Sequence, residues 1–208
     1  MTAVNPLPNV LTWIRIVAGV VVFGLLAAAA LLDQLSGDVQ FQFELAAFFV
    51  FILGAVTDFF DGMLARKLHA ETAWGATLDP IADKILVTGV ILGLFALGQY
   101  SKWIAIPAAL ILFREFTVSA LRESAAARGR KLPVTMLAKW KTTFQLVALG
   151  AELLITNWAA LHLDAIEANV NGWPAWTAHG LLWVAALITV WTGAEYVAAA
   201  RKALPHEA

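Results

Sequence analysis

Long apolar runs separated by short polar stretches recur along the whole chain. A run of about 20 apolar residues is long enough to cross the hydrocarbon core of a bilayer as an α-helix. The pattern predicts six such helices, at Val10–Leu32, Phe41–Leu68, Thr77–Leu97, Lys102–Ala126, Thr135–Asn157 and Trp176–Ala200. We therefore predict an all-α integral membrane protein with six transmembrane helices, forming a single membrane domain over residues 1–208.

The composition supports a membrane protein and excludes several kinds of site. The chain is 61% hydrophobic and only 14% charged, whereas an average soluble domain has about 25% charged residues. It contains no cysteine, which excludes a disulfide framework, a thiolate metal site and a cysteine nucleophile in these residues. The formal net charge of −1 says little about partners, and we expect no nucleic-acid partner.

The distribution of Lys and Arg predicts the orientation in the membrane, because these residues are retained on the cytoplasmic side. The loops at residues 33–40 and 158–175 contain neither. Basic residues instead follow the second, fourth and sixth helices: Arg66, Lys67, Arg128, Arg130, Lys131, Arg201 and Lys202. Both termini are therefore predicted to be cytoplasmic, with Asn5–Pro8 as a short interfacial segment. The same bias and the lack of a targeting segment favour a bacterial plasma (inner) membrane.

Four aspartates lie close together where the second and third predicted helices meet. Asp58 and Asp61 are three residues apart, and Asp79 and Asp83 are four apart. At these spacings each pair lies on one face of its own helix. A short turn around residues 69–74 joins the two helices, so their ends are neighbours. The four carboxylates are therefore predicted to converge on one pocket at the cytoplasmic side.

Such a cluster is unfavourable without cations, since two carboxylates about 5 Å apart repel by about 3 kcal/mol at an effective dielectric near 20. Arg66 and Lys84 cannot neutralise four acids, whereas two divalent cations can. Oxygen ligands favour Mg²⁺, Mn²⁺ or Ca²⁺ over zinc. Gly62 and Ala65 leave room for a flat ligand beside Asp58, although small residues also serve helix packing. An ion or proton pathway is a further possibility at this point.

The spacing of these residues resembles a family signature. The stretch reads D-x2-D-G-x2-A-R-x8-G-x3-D-x3-D from Asp58 to Asp83, and it matches the signature of the CDP-alcohol phosphatidyltransferase family at every specified position. Residues 5–16, 114–123 and 139–149 resemble bacterial members that use glycerol 3-phosphate as acceptor. The resemblance implies transfer of the phosphatidyl group of CDP-diacylglycerol to the primary hydroxyl of glycerol 3-phosphate, with release of CMP.

The resemblance also implies roles for individual residues. It implies a site with two divalent cations, Mg²⁺ or Mn²⁺, in which Asp83 is both a metal ligand and the general base. The remaining metal ligands would be Asp58, Asp61 and Asp79. The CDP-lipid would contact Asp61, Gly62, Ala65, Arg66 and Gly75. The family further implies a homodimer surrounded by membrane lipids.

Several cations are candidates for binding the phosphate of the acceptor. Arg114 and Arg122 are eight residues apart and lie roughly on one face of the fourth helix, and Lys139 lies near the start of the fifth. Lys84 follows Asp83 directly. Arginine offers phosphate a planar fork of donors, and lysine offers a mobile point charge. We predict that these four residues bind the acceptor phosphate.

Alternatives remain for these residues and for the substrate. Arg114 could instead pair with Glu115 or Glu123, and Lys84 could simply neutralise the acidic cluster. Arg15, in the first helix, is expected to extend to the membrane interface. Serine, inositol phosphate or phosphatidylglycerol could be the acceptor of the same reaction. A cation or proton transporter is the alternative from a different class, although its carboxylates should be spread across the depth of the membrane.

Overall fold

The computed structural model describes residues 7–32, 37–68, 73–99, 101–130, 136–158 and 172–203. Side chains are described within these ranges except at residues 7–9, 37, 59–68, 73–74, 76–77, 136–139 and 203. All the regular structure in the described ranges is α-helical. The helices are α1 (Leu7–Leu31), α2 (Gly37–Leu68), α3 (Ala73–Ala96), α4 (Lys102–Ala127), α5 (Met136–Thr156) and α6 (Trp173–Ala203).

The described ranges contain the six predicted helices in the predicted order, and α1, α2, α3 and α6 begin three or four residues earlier than predicted. An apolar pattern marks only the part of a helix that faces hydrocarbon, while the helix itself continues into the polar interface. Pro8 lies in the first turn of α1, where a missing backbone N–H is tolerated. Residues 5 and 6 of the predicted interfacial segment Asn5–Pro8 lie outside the described residues.

The distribution of polar and apolar side chains is that of a protein surrounded by lipid. Four stretches of helix are long and apolar enough to cross a membrane: Val10–Leu31, Asp38–Asp58, Lys102–Ala127 and Trp173–Lys202. Phe113 and Trp191 are 71% and 65% exposed, whereas Gln145 and Glu152 are buried. Large apolar groups outside and polar groups inside are what a bilayer requires. The protein is therefore a multi-pass membrane protein, and spans at α3 and α5 stay predictions.

The described residues form two compact units. The α1 unit comprises residues 1–99 and 149–175, and the α4 unit comprises residues 100–148 and 176–208. Within the α1 unit, α1 packs extensively against both α2 and α3, while the described parts of α2 and α3 have little contact with each other. Side chains from α1 are therefore placed to contact the acidic residues of both neighbouring helices.

Glycines bring α1 and α3 into backbone contact. A Cβ atom at Gly19 would lie 2.8 Å from the Ile85 carbonyl carbon and from the Leu86 Cα, closer than real Cβ contacts. Gly93 lies against the side chain of Leu26. Because residues later in α1 meet residues later in α3, the two helices are parallel. This close packing places the first turns of α1 beside the aspartates of α3.

In the α4 unit, α4 and α6 are also parallel and in close contact. Val118, Ala125, Tyr196 and Ala200 form a buried apolar cluster between them. Nearer the middle of the helices, a Cβ at Gly193 would lie 2.8 Å from the Cγ of Arg114. The absence of a side chain at Gly193 thus makes room for the long side chain of Arg114 inside the unit.

Candidate functional site

Two of the predicted site aspartates are held by one arginine. The Arg15 Nη1 atom lies 2.5 Å from the Asp58 Oδ1 atom, and it also donates a hydrogen bond to the Asp83 Oδ1 atom. Arg15 is 2% exposed, whereas the Asp58 and Asp83 side chains are 27% and 38% exposed. The carboxylates from α2 and α3 therefore converge on a buried cation supplied by α1, with part of each carboxylate still reachable from outside.

A second contact from α1 holds the third described aspartate. The buried Thr12 hydroxyl donates a hydrogen bond of 2.6 Å to the Asp79 Oδ1 atom. Thr12 and Arg15 are three residues apart and lie on one face of α1. One face of α1 thus contacts Asp79, Asp83 and Asp58.

The other predicted residues of this site are on the same helices. Gly75 is buried in the first turn of α3. The Lys84 ammonium donates a hydrogen bond of 3.0 Å to the carbonyl of Pro80, one turn earlier. The remaining residues lie on the last part of α2, with side chains outside the described set: Asp61, Gly62, Ala65 and Arg66.

The arrangement fits a hard divalent cation in its donor chemistry. Asp58 and Asp83 already direct carboxylate oxygens at a common positive centre, and oxygen ligands are those that Mg²⁺ and Mn²⁺ prefer. Among the residues whose side chains are described, no group of three or more His, Asp or Glu side chains is gathered closely enough to hold an ion. Asp61, the fourth aspartate of the pattern, lies outside that set.

The α4 unit contains a buried polar network centred on Glu115. Its Oε1 atom accepts hydrogen bonds from Lys141 and from the Gln145 amide, the latter at 3.2 Å. Arg114 lies 3.5 Å from the same oxygen. The Gln145 amide also donates to the Thr189 hydroxyl at 2.9 Å. One carboxylate thus joins α4, α5 and α6 through charged and amide groups that lipid cannot solvate.

Arg114 is a buried member of this network. Its Nη2 atom donates a hydrogen bond of 3.1 Å to the Thr192 hydroxyl, and its guanidinium lies 5.5 Å from the centre of the Tyr196 ring. Its buried Nε atom has no hydrogen-bond partner among the described residues. One donor of Arg114 therefore makes no hydrogen bond with the described residues.

The other two predicted phosphate-binding residues of the α4 unit have different surroundings. Arg122 is exposed, unlike Arg114 on the same helix. Lys139 lies on α5 with its side chain outside the described set. Lys141, two residues later, is buried and paired with Glu115. The pairing of Arg114 with Glu115, considered as an alternative from the sequence, is present in the structure.

The expectation for Arg15 was wrong. Arg15 does not extend to the interface, because it is buried against Asp58 and Asp83. Two signals in the sequence could have indicated this position. Arg15 is a charged residue inside an apolar run, which in a membrane helix usually marks a functional site. Thr12 lies three residues before it, at the same spacing that singled out Asp58 and Asp61.

Comparisons with known proteins identify the family of the chain. The model of the family described as CDP-alcohol phosphatidyltransferase matches residues 5–191, a range that contains all the aspartates as well as Thr12 and Arg15. A protein of Cereibacter sphaeroides named CDP-diacylglycerol–glycerol-3-phosphate 3-phosphatidyltransferase is 36% identical, with 96% of each chain covered. A protein of the same name from Escherichia coli K12 is 40% identical over 75% of this chain and 79% of its own length.

A solved structure shares the fold. The crystal structure of Mycobacterium tuberculosis phosphatidylinositol phosphate synthase with CDP-DAG bound superposes with a TM-score of 0.59 at 18% identity, covering 97% of this chain and 91% of that one. At that identity the likeness concerns the fold alone. The family model covers most of the chain, and the Cereibacter sphaeroides protein is similar over nearly its full length. The chain therefore belongs to the CDP-alcohol phosphatidyltransferase family, as its aspartate pattern predicted.

Proposed function

We propose that this protein transfers the phosphatidyl group of CDP-diacylglycerol to the primary hydroxyl of sn-glycerol 3-phosphate, giving phosphatidylglycerophosphate and CMP. The observation that carries the proposal is the convergence of Asp58 and Asp83 from two helices within a complete family signature. The names of the bacterial relatives support the choice of both substrates. The protein would then be a phosphatidylglycerophosphate synthase.

Two divalent cations, Mg²⁺ or Mn²⁺, would be held by Asp58, Asp61, Asp79 and Asp83. When bound, they neutralise charge on the diphosphate and make CMP a better leaving group. Thr12 fixes the orientation of Asp79 through its hydrogen bond. For the CDP-lipid we propose contacts with Asp61, Gly62, Ala65, Arg66 and Gly75.

Asp83 is the proposed general base. In the reaction, the acceptor hydroxyl oxygen bonds to the β-phosphorus of the CDP-lipid, the bond from that phosphorus to the CMP oxygen breaks, and the hydroxyl proton passes to the Asp83 carboxylate. The 38% exposure of the Asp83 side chain leaves an oxygen within reach of a substrate. A base must come within about 3 Å of the proton that it accepts.

For the acceptor phosphate we propose the four cations that the sequence singled out, Lys84, Arg114, Arg122 and Lys139. Arg114 is supported by its surroundings, because Glu115, Thr192 and Tyr196 hold its guanidinium and its Nε atom makes no hydrogen bond with the described residues. The exposed Arg122 can reach a ligand arriving from water. A neutral acceptor such as serine would not need this set of cations.

We place the protein in the inner membrane of a bacterium, as a homodimer with both termini and the active site on the cytoplasmic side. The basic residues in the last turns of α2 and α6 and just after α4 support this orientation. The CDP-lipid can then enter from the bilayer while glycerol 3-phosphate arrives from water. We also propose that residues 1–208 work as one catalytic domain.

The first prediction concerns the choice of acceptor. Purified protein in detergent, given CDP-diacylglycerol and Mg²⁺, is expected to release CMP when glycerol 3-phosphate is added and not with serine or inositol phosphate. Chelation of the metal with EDTA should abolish release, and excess Mg²⁺ should restore it. Release that requires a different acceptor would keep the reaction class and remove glycerol 3-phosphate as substrate. No release with any of them, together with an ion flux in proteoliposomes, would support a transporter.

The second prediction tests the role of Arg114. Arg114→Ala removes charged donors from the proposed phosphate site, and a hydrogen bond to a charged group contributes about 1.5–3 kcal/mol. The KM for glycerol 3-phosphate is expected to rise by about 10-fold or more, with less than a threefold change in the KM for CDP-diacylglycerol. Arg201→Ala, at an exposed arginine near the end of α6, is the matched control. Equal increases in both KM values would contradict the proposed site.

A further inference from the structure

We infer that Arg15 is a permanent positive charge within the aspartate site. This charge weakens metal binding, and it gives the metal-loaded site a net positive charge that attracts the diphosphate of the CDP-lipid. The inference rests on the proposed function for the identity of the metals and the lipid. It adds a residue of α1 to a site that the sequence pattern places only on α2 and α3.

The geometry makes Arg15 part of the site. Its Nη1 atom contacts Asp58 on α2 and donates a hydrogen bond to Asp83 on α3. The side chain is only 2% exposed, so water screens its charge weakly. Guanidinium groups remain protonated under all ordinary conditions. The aspartate site therefore always contains this positive charge.

The charges of the site determine what the cation does. Four carboxylates and two divalent cations sum to zero, and Arg15 raises the sum to +1. The diphosphate of a CDP-lipid carries two negative charges, so a positive site attracts it more strongly than a neutral one. The same positive charge repels the divalent cations. Arg15 must therefore affect metal affinity and lipid affinity in opposite directions.

The third prediction follows from these opposite signs. Arg15→Gln keeps a polar side chain, although a shorter one, and removes the charge. The dissociation constant for Mn²⁺ is expected to fall by tenfold or more, while the KM for CDP-diacylglycerol, at saturating Mn²⁺, rises by tenfold or more. The KM for glycerol 3-phosphate should change less than threefold. A residue that only orients the carboxylates would give the opposite sign for the metal, because disordered ligands bind it more weakly.

Metal binding can be measured without turnover. The Tm of the purified protein in detergent is recorded against Mn²⁺ concentration, and its rise gives the dissociation constant by linkage. Arg15→Lys keeps the charge and is expected to bind Mn²⁺ within threefold of the unmodified protein. Arg201→Gln makes the same chemical change at an exposed arginine and should alter neither the Tm series nor the two KM values.

The outcomes separate this inference from the proposed function. If the unmodified protein shows neither Mn²⁺-dependent stabilisation nor release of CMP, the proposed function fails. If the unmodified protein shows both and Arg15→Gln binds Mn²⁺ more weakly or equally, only the role of Arg15 is overturned. If Arg15→Gln does not fold, the Mn²⁺ affinity of Arg15→Lys alone tests the role of Arg15. A shift of more than tenfold in its Mn²⁺ affinity would show that side-chain geometry, not charge, matters at this position.

Discussion

Replacement of Asp83 by Asn is expected to lower the kcat for CMP release by about 10²–10⁴-fold, the range typical of a lost general base. The amide has almost the same size as the carboxylate and cannot accept the proton of the acceptor hydroxyl. The amide is also neutral and attracts a bound cation less strongly than a carboxylate does, so the apparent affinity for Mg²⁺ should fall as well. The measurement is the initial rate of CMP release at saturating CDP-diacylglycerol and glycerol 3-phosphate over a series of Mg²⁺ concentrations.

This experiment must separate a loss of catalytic rate from a loss of stability. Asp83 forms an ion pair with buried Arg15, so its replacement could lower stability as well as activity. Asp38→Asn removes an exposed carboxylate from the first turn of α2 and serves as the control for the same substitution. The Tm of each variant in detergent shows whether the variant is folded and how stable it is. A folded Asp83→Asn protein that retains more than a tenth of the original kcat would contradict a role as general base.

The sequence was sufficient to predict the helices and the aspartates that the family signature specifies. Apolar length alone determines which segments can lie in a bilayer, and the six predicted helices are present with small shifts at their ends. Helical spacing likewise placed Asp79 and Asp83 on one face of α3. These features are local, since each depends on residues within a few turns of one another.

The position of α1 between α2 and α3 could not be predicted from such local patterns. The sequence predicted that the joined ends of α2 and α3 are neighbours, and it gave no sign that the described parts of both helices would pack mainly against α1. This packing depends on the backbone contact at Gly19. A glycine in an apolar run does not reveal which helix will lie against it, so the contact of Arg15 with Asp58 and Asp83 was not foreseen.

The partners of Glu115 on another helix could not be predicted from local patterns either. Its neighbour Arg114 was an evident partner in the sequence, whereas Lys141, twenty-six residues later, was not. From the sequence, Lys141 could be either a cation for the acceptor phosphate or one of the basic residues that the cytoplasmic side retains. In the structure it is buried and paired with Glu115. The charge pattern along a membrane protein cannot distinguish a lysine that contacts lipid headgroups from one that neutralises a buried acid.

The last prediction concerns this carboxylate. Glu115→Ala is expected to lower the free energy of unfolding by about 3–5 kcal/mol, because it removes the carboxylate that two buried cations share. The Lys141 and Arg114 side chains are only 7% and 9% exposed, so neither can readily turn to water. Thermal unfolding in detergent measures the loss. Glu123→Ala, which removes an exposed acid from the same helix, should change the Tm by little.

A second substitution tests whether the uncompensated charge is the cause. Lys141→Met removes the buried ammonium and keeps an apolar side chain of similar length. If Glu115→Ala loses stability because of the buried Lys141 ammonium, the double variant Glu115→Ala/Lys141→Met should be more stable than Glu115→Ala alone. Removing both charges of a buried pair costs less than removing only one of them. Strictly additive losses in the double variant would mean that Glu115 and Lys141 stabilise the protein independently. The pairing would then contribute nothing to the packing of α4 against α5.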